Sequence, residues 1–322
     1  MSVRLAPPTR KPMACAGPPK GGPDAAKPHP GRASLSPEQV PAWNHDHLLA
    51  PANGCSLPRV TRGAFRMLRV GLHLGWGVAT AAVFYPLLDR PKRLELKRRW
   101  SAQLLLMLGL GCRVAGAFPS GPRLVVANHV SWLDIFVLNS ISPAAFVCKA
   151  DVRDWPVIGW LCEKTETVFL PRGSRSAARD TAVQIAQRLT EGWLVAAFPE
   201  GTTSEGQGVL PFHSALLQGA LDAQKPVQPV GLRYLGSDGK STGAAAYCGE
   251  TSLLQSLWRI AQAPAIVVDV QILPPITDAV HRRELSSRSR EQIVAALAGG
   301  EAISAASAEA FNESLGELVA AQ

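Results

Sequence analysis

Two short stretches bring together residue types that can move protons and hold polar groups. The first is NHVSWLD, residues 128–134, in which His129 stands five residues ahead of Asp134. An imidazole titrates near neutrality and serves as a general base when a carboxylate fixes its tautomer and balances the imidazolium. The spacing fits such a pair, and it also fits a histidine capping a structural turn. The second stretch is FPEGTTSEG, residues 198–206. Pro199 stops ladder pairing behind Phe198, and Glu200 and Gly201 turn the chain. Thr202, Thr203 and Ser204 then supply hydroxyls and backbone N–H groups, which suit a polyol or a phosphate, or equally a plain turn and helix cap. Two cations, Lys149 in FVCKAD and Arg172 in FLPRG, also stand near expected strand ends. Taken singly, each fits a surface ion pair.

These residues need a scaffold, and the pattern from residue 121 onward supplies one. Strand-like runs RLVVANHV, AAFVCKADV, TVFLPR, LVAAFPE, VQPVGLRYL and AIVVDVQIL alternate with helix-like runs, of which SRSAARDTAVQIAQRL is the most clearly amphipathic. Alternation of this kind predicts an α/β fold with a largely parallel central sheet flanked by helices. In such a sheet, ligands bind beyond the carboxyl ends of the strands. The two motifs and both cations fall there. The final forty residues are rich in alanine and serine and read as helical.

The 322 residues are 47% hydrophobic and 18% charged, which excludes wholesale disorder and a multi-span membrane protein. The net charge of +8 is local: residues 59–100 alone carry ten basic and two acidic residues. That argues against a nucleic-acid groove and suits an anionic lipid surface. Within this segment Val70 to Leu88 is 19 residues without a formal charge, about 28 Å as a helix. A second apolar run, Leu104 to Leu110, follows Trp100. Two apolar helices with basic flanks predict a membrane-associated pair, either re-entrant in the cytoplasmic leaflet or a single span.

Residues 1–58 hold 12 of the 26 prolines and read as a disordered Pro/Gly-rich tail, with no secretory leader expected. The expected organisation is therefore a tail at 1–58, membrane-associated helices at 59–115, a catalytic domain at 116–300 and a helical tail at 301–322. The six cysteines show no C-x-x-C spacing and read as reduced thiols of a cytoplasmic protein; no metal site is expected, and His45-Asp46-His47 reads as a solvated turn.

Taken together, the four site segments resemble the glycerolipid acyltransferase family, which includes the 1-acyl-glycerol-3-phosphate acyltransferases. Asn128, His129 and Asp134 match its N-H-x-x-x-x-D block. Phe169-Leu170-Pro171-Arg172 matches its second block, Phe198 to Thr202 with Ser204 its F-P-E-G-T-R-S block, and VQPVGL at 227–232 its fourth. The resemblance covers roughly residues 65–275. It implies transfer of an acyl chain from acyl-CoA or acyl-ACP to a lysolipid hydroxyl, with His129 as base, Asp134 as its partner, and Lys149, Arg172, Glu200, Gly201 and Thr202 around the acceptor. It implies no further cofactor.

Lysophosphatidate is the foremost acceptor that the resemblance implies. Two departures bear on it: Pro171 stands where the family usually has Asp, and Thr203 where it usually has Arg. That arginine is linked in the family to the acceptor phosphate, so its replacement shifts weight onto Lys149 and Arg172. The wording FPEGTTS followed by VLPF also resembles the branch that acylates lyso-ornithine lipid, the second acceptor. A reading of another class is a catalytically inactive membrane adaptor that keeps the fold. An α/β serine hydrolase is excluded, since the G-x-S-x-G run GKSTG at 239–243 leads into no helix-like run and so makes no nucleophile elbow.

Overall fold

Residues buried on both sides of a sheet must be apolar throughout, and the central strands obey this. In the computed structural model, which describes residues 58–299 apart from 156 and 171–174, β2 (Leu124–Ala127) and β5 (Val195–Ala197) are buried along their whole length. Helices α3 (Asp134–Ile141), α4 (Ile158–Lys164), α5 (Arg175–Thr190), α6 (Gln218–Asp222) and α7 (Leu253–Gln262) alternate with β3 (Ala145–Lys149), β4 (Val168–Leu170), β6 (Val227–Gly236) and β7 (Ile266–Ile272). Residues 282–299 form a further helix. The tail at 1–57, Arg172, His45-Asp46-His47 and the segment 301–322 lie outside the described residues.

Among the described residues seven strands, the first of them β1 (Leu110–Ala115), form one sheet in the order β1-β7-β6-β2-β5-β3-β4. All neighbours are parallel except β6 and β7. From β2 the chain moves by α3 to β3, on one side; from β5 it crosses back by α6 to β6, on the other. The loops leaving β2 and β5 therefore meet above the carboxyl ends of two adjacent strands, the place where open α/β sheets bind ligands.

The edge strand β1 (Leu110–Ala115) was not among the expected strands. It pairs with β7 from Leu110↔Ile266 to Ala115↔Gln271. The expected boundary before residue 116 thus cuts behind a strand of the sheet.

The segment expected to be an apolar membrane helix pair is corrected. It does form two helices, α1 (Arg59–Val83) and α2 (Arg90–Leu108), but no described helix is long and apolar enough to cross a membrane. The uncharged run is interrupted: α1 ends at Val83 and a short 3-10 turn, Tyr85–Leu87, follows around Pro86. Only residues 70–83 of that run are in α1, about 21 Å of helix against a ~30 Å hydrocarbon core. The second apolar run faces inward, with Leu104, Leu105, Leu108 and Leu110 all at most 2% exposed in the sheet's core. His73, inside the first run, is buried, stacks on Trp100 with ring centroids 4.8 Å apart, and lies 3.1 Å by Nε2 from the Trp100 carbonyl.

The basic cluster is also largely used within the fold. Arg66 donates to the carbonyls of Ala261, Ala263 and Pro264 at 3.2, 2.7 and 3.1 Å, and Arg62 to that of Gln262 at 2.7 Å. Cations belong at a helix C-terminus, here that of α7, where carbonyls lack partners. Arg90 donates to Glu191 and Gly192 carbonyls and lies over the Trp193 ring at 3.6 Å. Arg93 donates to Leu88 and Pro86, half-buried Lys97 to Ala144 and Thr165, and Arg98 and Arg99 pair with Glu95.

Gly109 joins these features. It ends α2 in the left-handed conformation, φ 81°, and a Cβ there would stand 2.0 Å from the Arg66 guanidinium. Gly109→Ala must both adopt that conformation and displace the guanidinium from α7. It should lower unfolding free energy by on the order of 1–3 kcal/mol in urea titrations followed by tryptophan fluorescence.

Candidate active site

His129 sits two residues past the end of β2, a strand end pinned by a side chain. Beyond Ala127 the backbone leaves the ladder, and buried Asn128 takes over. Its Nδ2 donates to the Leu232 carbonyl at 2.9 Å and its Oδ1 accepts the Leu232 N–H at 2.8 Å. The His129 backbone is held by the second motif. Its N–H donates to Glu200 Oε1 at 3.2 Å, and its carbonyl accepts the Ser204 N–H at 2.8 Å. The ring stacks on Phe198, centroids 3.9 Å apart and planes 9° from parallel. Backbone and ring are thus both fixed before any substrate arrives.

Nδ1 of His129 lies 2.8 Å from Asp134 Oδ2. Asp134 is fully buried, and an uncompensated carboxylate there would be costly. Oδ2 also accepts the N–H groups of Val130 at 2.8 Å and Ser131 at 3.0 Å, and Oδ1 accepts the Tyr234 hydroxyl at 2.6 Å. A carboxylate facing Nδ1 assigns the proton to that nitrogen and leaves the Nε2 lone pair as the basic site. The imidazole is 18% exposed, enough for a substrate hydroxyl to reach it.

Glu200 is 4% exposed. Its Oε2 is buried without a hydrogen-bond partner among the described residues. Burial pushes its carboxyl up to about 7; the Asp134 charge adds to this, while the N–H groups of His129 and Leu210 and the Arg290 charge oppose it. Gly201 has φ 70°, and its N–H donates to the Phe198 carbonyl at 3.1 Å. Thr202 is exposed beside it. The Thr203 hydroxyl donates to the Tyr247 carbonyl.

The structure thus brings His129, Asp134, Glu200, Gly201 and Thr202 to one mouth. Lys149 is exposed at the end of β3, with β5 between it and β2, about 10 Å across at the usual strand spacing. Its Cα pairs with Leu170 of β4, so it stands beside the strand that leads to Arg172. Tyr234 and Phe198 were not singled out as site residues by sequence reasoning. One signal did exist for Tyr234: a hydroxyl in a mostly apolar run that reads as a buried strand, VQPVGLRYL, needs a partner.

Comparison with known proteins follows the same segments. Residues 112–233 match the family model described as Acyltransferase. The chain is 40% identical over 210 residues to the lyso-ornithine lipid O-acyltransferase of Pseudomonas aeruginosa, covering 65% of this chain and 81% of that protein. It is 37% identical over 198 residues to the 1-acyl-sn-glycerol-3-phosphate acyltransferase of Neisseria gonorrhoeae, covering 60% and 77%. In fold it is similar to the crystal structure of the 1-acyl-sn-glycerophosphate (LPA) acyltransferase PlsC from Thermotoga maritima, with a TM-score of 0.59, 22% identity, and coverage of 76% of this chain and 96% of that one.

Glu200 makes stability depend on pH with a definite sign. Its folded value of about 7 lies above the ordinary 4.5. Between these values the folded chain holds a proton that the unfolded chain has released. The contribution is therefore full below the ordinary value and is lost as pH rises toward the folded one. Glu200→Gln cannot titrate there. The stability of the native protein relative to this variant should fall by on the order of 2–3 kcal/mol between about pH 4.5 and 8. Urea midpoints measured across that range check it; a flat difference would mean that Glu200 stays ionised in the fold.

Proposed function

The chain belongs to the acyltransferase family, and from that footing we propose that it transfers an acyl group from an acyl thioester, on coenzyme A or acyl carrier protein, to the free hydroxyl of a lysolipid. The observation that carries this reading is the His129–Asp134 contact at 2.8 Å, at the carboxyl end of β2 with the imidazole partly open to solvent. Nε2 of His129 takes the acceptor's proton as its oxygen attacks the thioester carbonyl. Asp134 holds the Nδ1 proton and balances the imidazolium. The tetrahedral intermediate collapses by expelling the thiolate, which takes up the proton from Nε2. The thioester is already activated, so no covalent enzyme intermediate and no further cofactor enter the scheme.

The oxyanion needs donors within hydrogen-bond reach. The N–H groups of Val130, Ser131 and Gly201 already have acceptors, which turns attention to exposed Thr202. Glu200 suits the task of holding His129 better than that of gripping the acceptor, since its Oε1 is on the His129 N–H and its side chain is buried. Lys149 and Arg172 are assigned to the acceptor head group.

Between the two acceptors, the reading favours lyso-ornithine lipid, with lysophosphatidate second. A phosphomonoester is best held by a fork of guanidinium donors. Position 203 offers a hydroxyl already given to the Tyr247 carbonyl. The relative at 40% identity is named for lyso-ornithine lipid.

A lipid acceptor also calls for a membrane contact, proposed here on the cytoplasmic face of the inner membrane, where both donors occur. Phe65, Leu68, Leu72 and Trp76 are 55–68% exposed on α1 and recur every three or four residues, on the side opposite buried Gly63, Val70 and Ala81. Such a stripe suits shallow insertion at the headgroup boundary.

Two measurements test this reading. Purified protein supplied with labelled acyl donor should acylate lyso-ornithine lipid in preference to lysophosphatidate, and His129→Ala should lower turnover at least ~100-fold while circular dichroism is unchanged. Near-native turnover in that variant would remove His129 as base. In flotation with vesicles, Leu72→Ser together with Trp76→Ser should release the protein from both neutral and anionic lipid. Release by salt alone would make charge, not the apolar stripe, the anchor.

A further inference from the structure

We infer that Tyr234 is a positioning residue for the acyl transfer, holding Asp134 by its Oδ1 so that Oδ2 stays on His129 and the basicity of the pair is set from β6. The inference rests on the reading of His129 as base.

Three features of the structure carry it. The contact is short, 2.6 Å from the Tyr234 hydroxyl to Asp134 Oδ1, and joins residues 100 apart in sequence. Both side chains are buried, Asp134 at 0% and Tyr234 at 2% exposure, so no water shares the bond's work. The other donors to Asp134, His129 Nδ1 and the N–H groups of Val130 and Ser131, all bind Oδ2. Among these contacts, Tyr234 alone fixes the rotation of the carboxylate about its own bond. The hydroxyl remains a donor throughout the working range, because burial first, and the Asp134 charge and hydrogen bond next, hold its ionisation well above the ordinary tyrosine value.

A donor on Oδ1 draws charge away from Oδ2 and weakens its hold on the imidazolium proton. Removing it must therefore let the His129–Asp134 pair keep its proton to higher pH. Other titratable or charged groups around the site are Glu200 after β5, Cys112 of β1, which adds to the field at Tyr234, and Arg290 of the helix 282–299, which acts on Glu200. His213 lies beside Gly201. All are common to the variants compared below, and Glu200 is removed separately.

The test is the pH profile of acyl transfer. Tyr234→Phe keeps the ring and loses the donor. It should lower kcat about tenfold with KM for the lysolipid unchanged. It should also move the acidic limb of kcat/KM to higher pH by at least about half a unit. Replacing Tyr234 with 3,5-difluorotyrosine makes a stronger donor and should move the limb the opposite way, which also serves if the phenylalanine variant folds poorly. The same opposed shifts should persist in a Glu200→Gln background. An unmoved limb in both replacements, with only a lowered Tm, would reduce Tyr234 to a packing residue and overturn the inference. His129→Ala distinguishes the two levels: activity surviving that variant defeats the base reading itself, whereas its loss beside an unmoved Tyr234 limb defeats only the positioning role.

Discussion

A carboxylate with no exposure to water has to be given donors by the protein, and Asp134 sets that requirement at the centre of this molecule. Its partners come from three places: the imidazole of His129, the turn at Val130 and Ser131, and Tyr234 on β6. None of these donors is spare. The turn must bend so that two N–H groups point back at Oδ2, and β6 must lie beside β2 in the register Ala127↔Val230 for its side chains to reach the same space. The sheet order and the loop after β2 thus answer one electrostatic demand.

His129 is held with the same economy by the other motif. The loop after β5 gives its Glu200 carboxylate to the His129 N–H and its Ser204 N–H to the His129 carbonyl, while Phe198 lies flat against the ring. Two segments about 70 residues apart in sequence are in effect one structure, since β2 and β5 are adjacent and parallel. Preorganisation of this kind matters for a general base, which must be in place when the proton moves rather than recruited to it.

The segment 59–109 shows how one composition serves two ends. Its arginines satisfy carbonyls at the end of α7 and around residues 191 and 192, its leucines fill the core beside β1, and its outward stripe is apolar. A cluster of cations beside an apolar run therefore does not have to mean lipid headgroups. Here much of the positive charge caps backbone that would otherwise lack partners. What remains for a membrane is a surface of one helix.

Local patterns in the sequence were enough for the parallel sheet, because strands buried on both faces must read as continuous apolar runs and the helices between them as periodic ones. The His129–Asp134 pair was legible for the same reason, as both ends lie within five residues of one turn. So was the loop at 198–206, through Pro199 and Gly201. Tertiary structure alone decided the rest. That Tyr234 meets Asp134, that Glu200 takes the His129 N–H, that Arg66 reaches α7 and that Leu110–Ala115 is a strand all depend on which segments the sheet order places side by side. Each is a contact between residues about 70 to 200 apart in the chain, and periodicity within a window of a dozen residues carries no information about a partner at that separation.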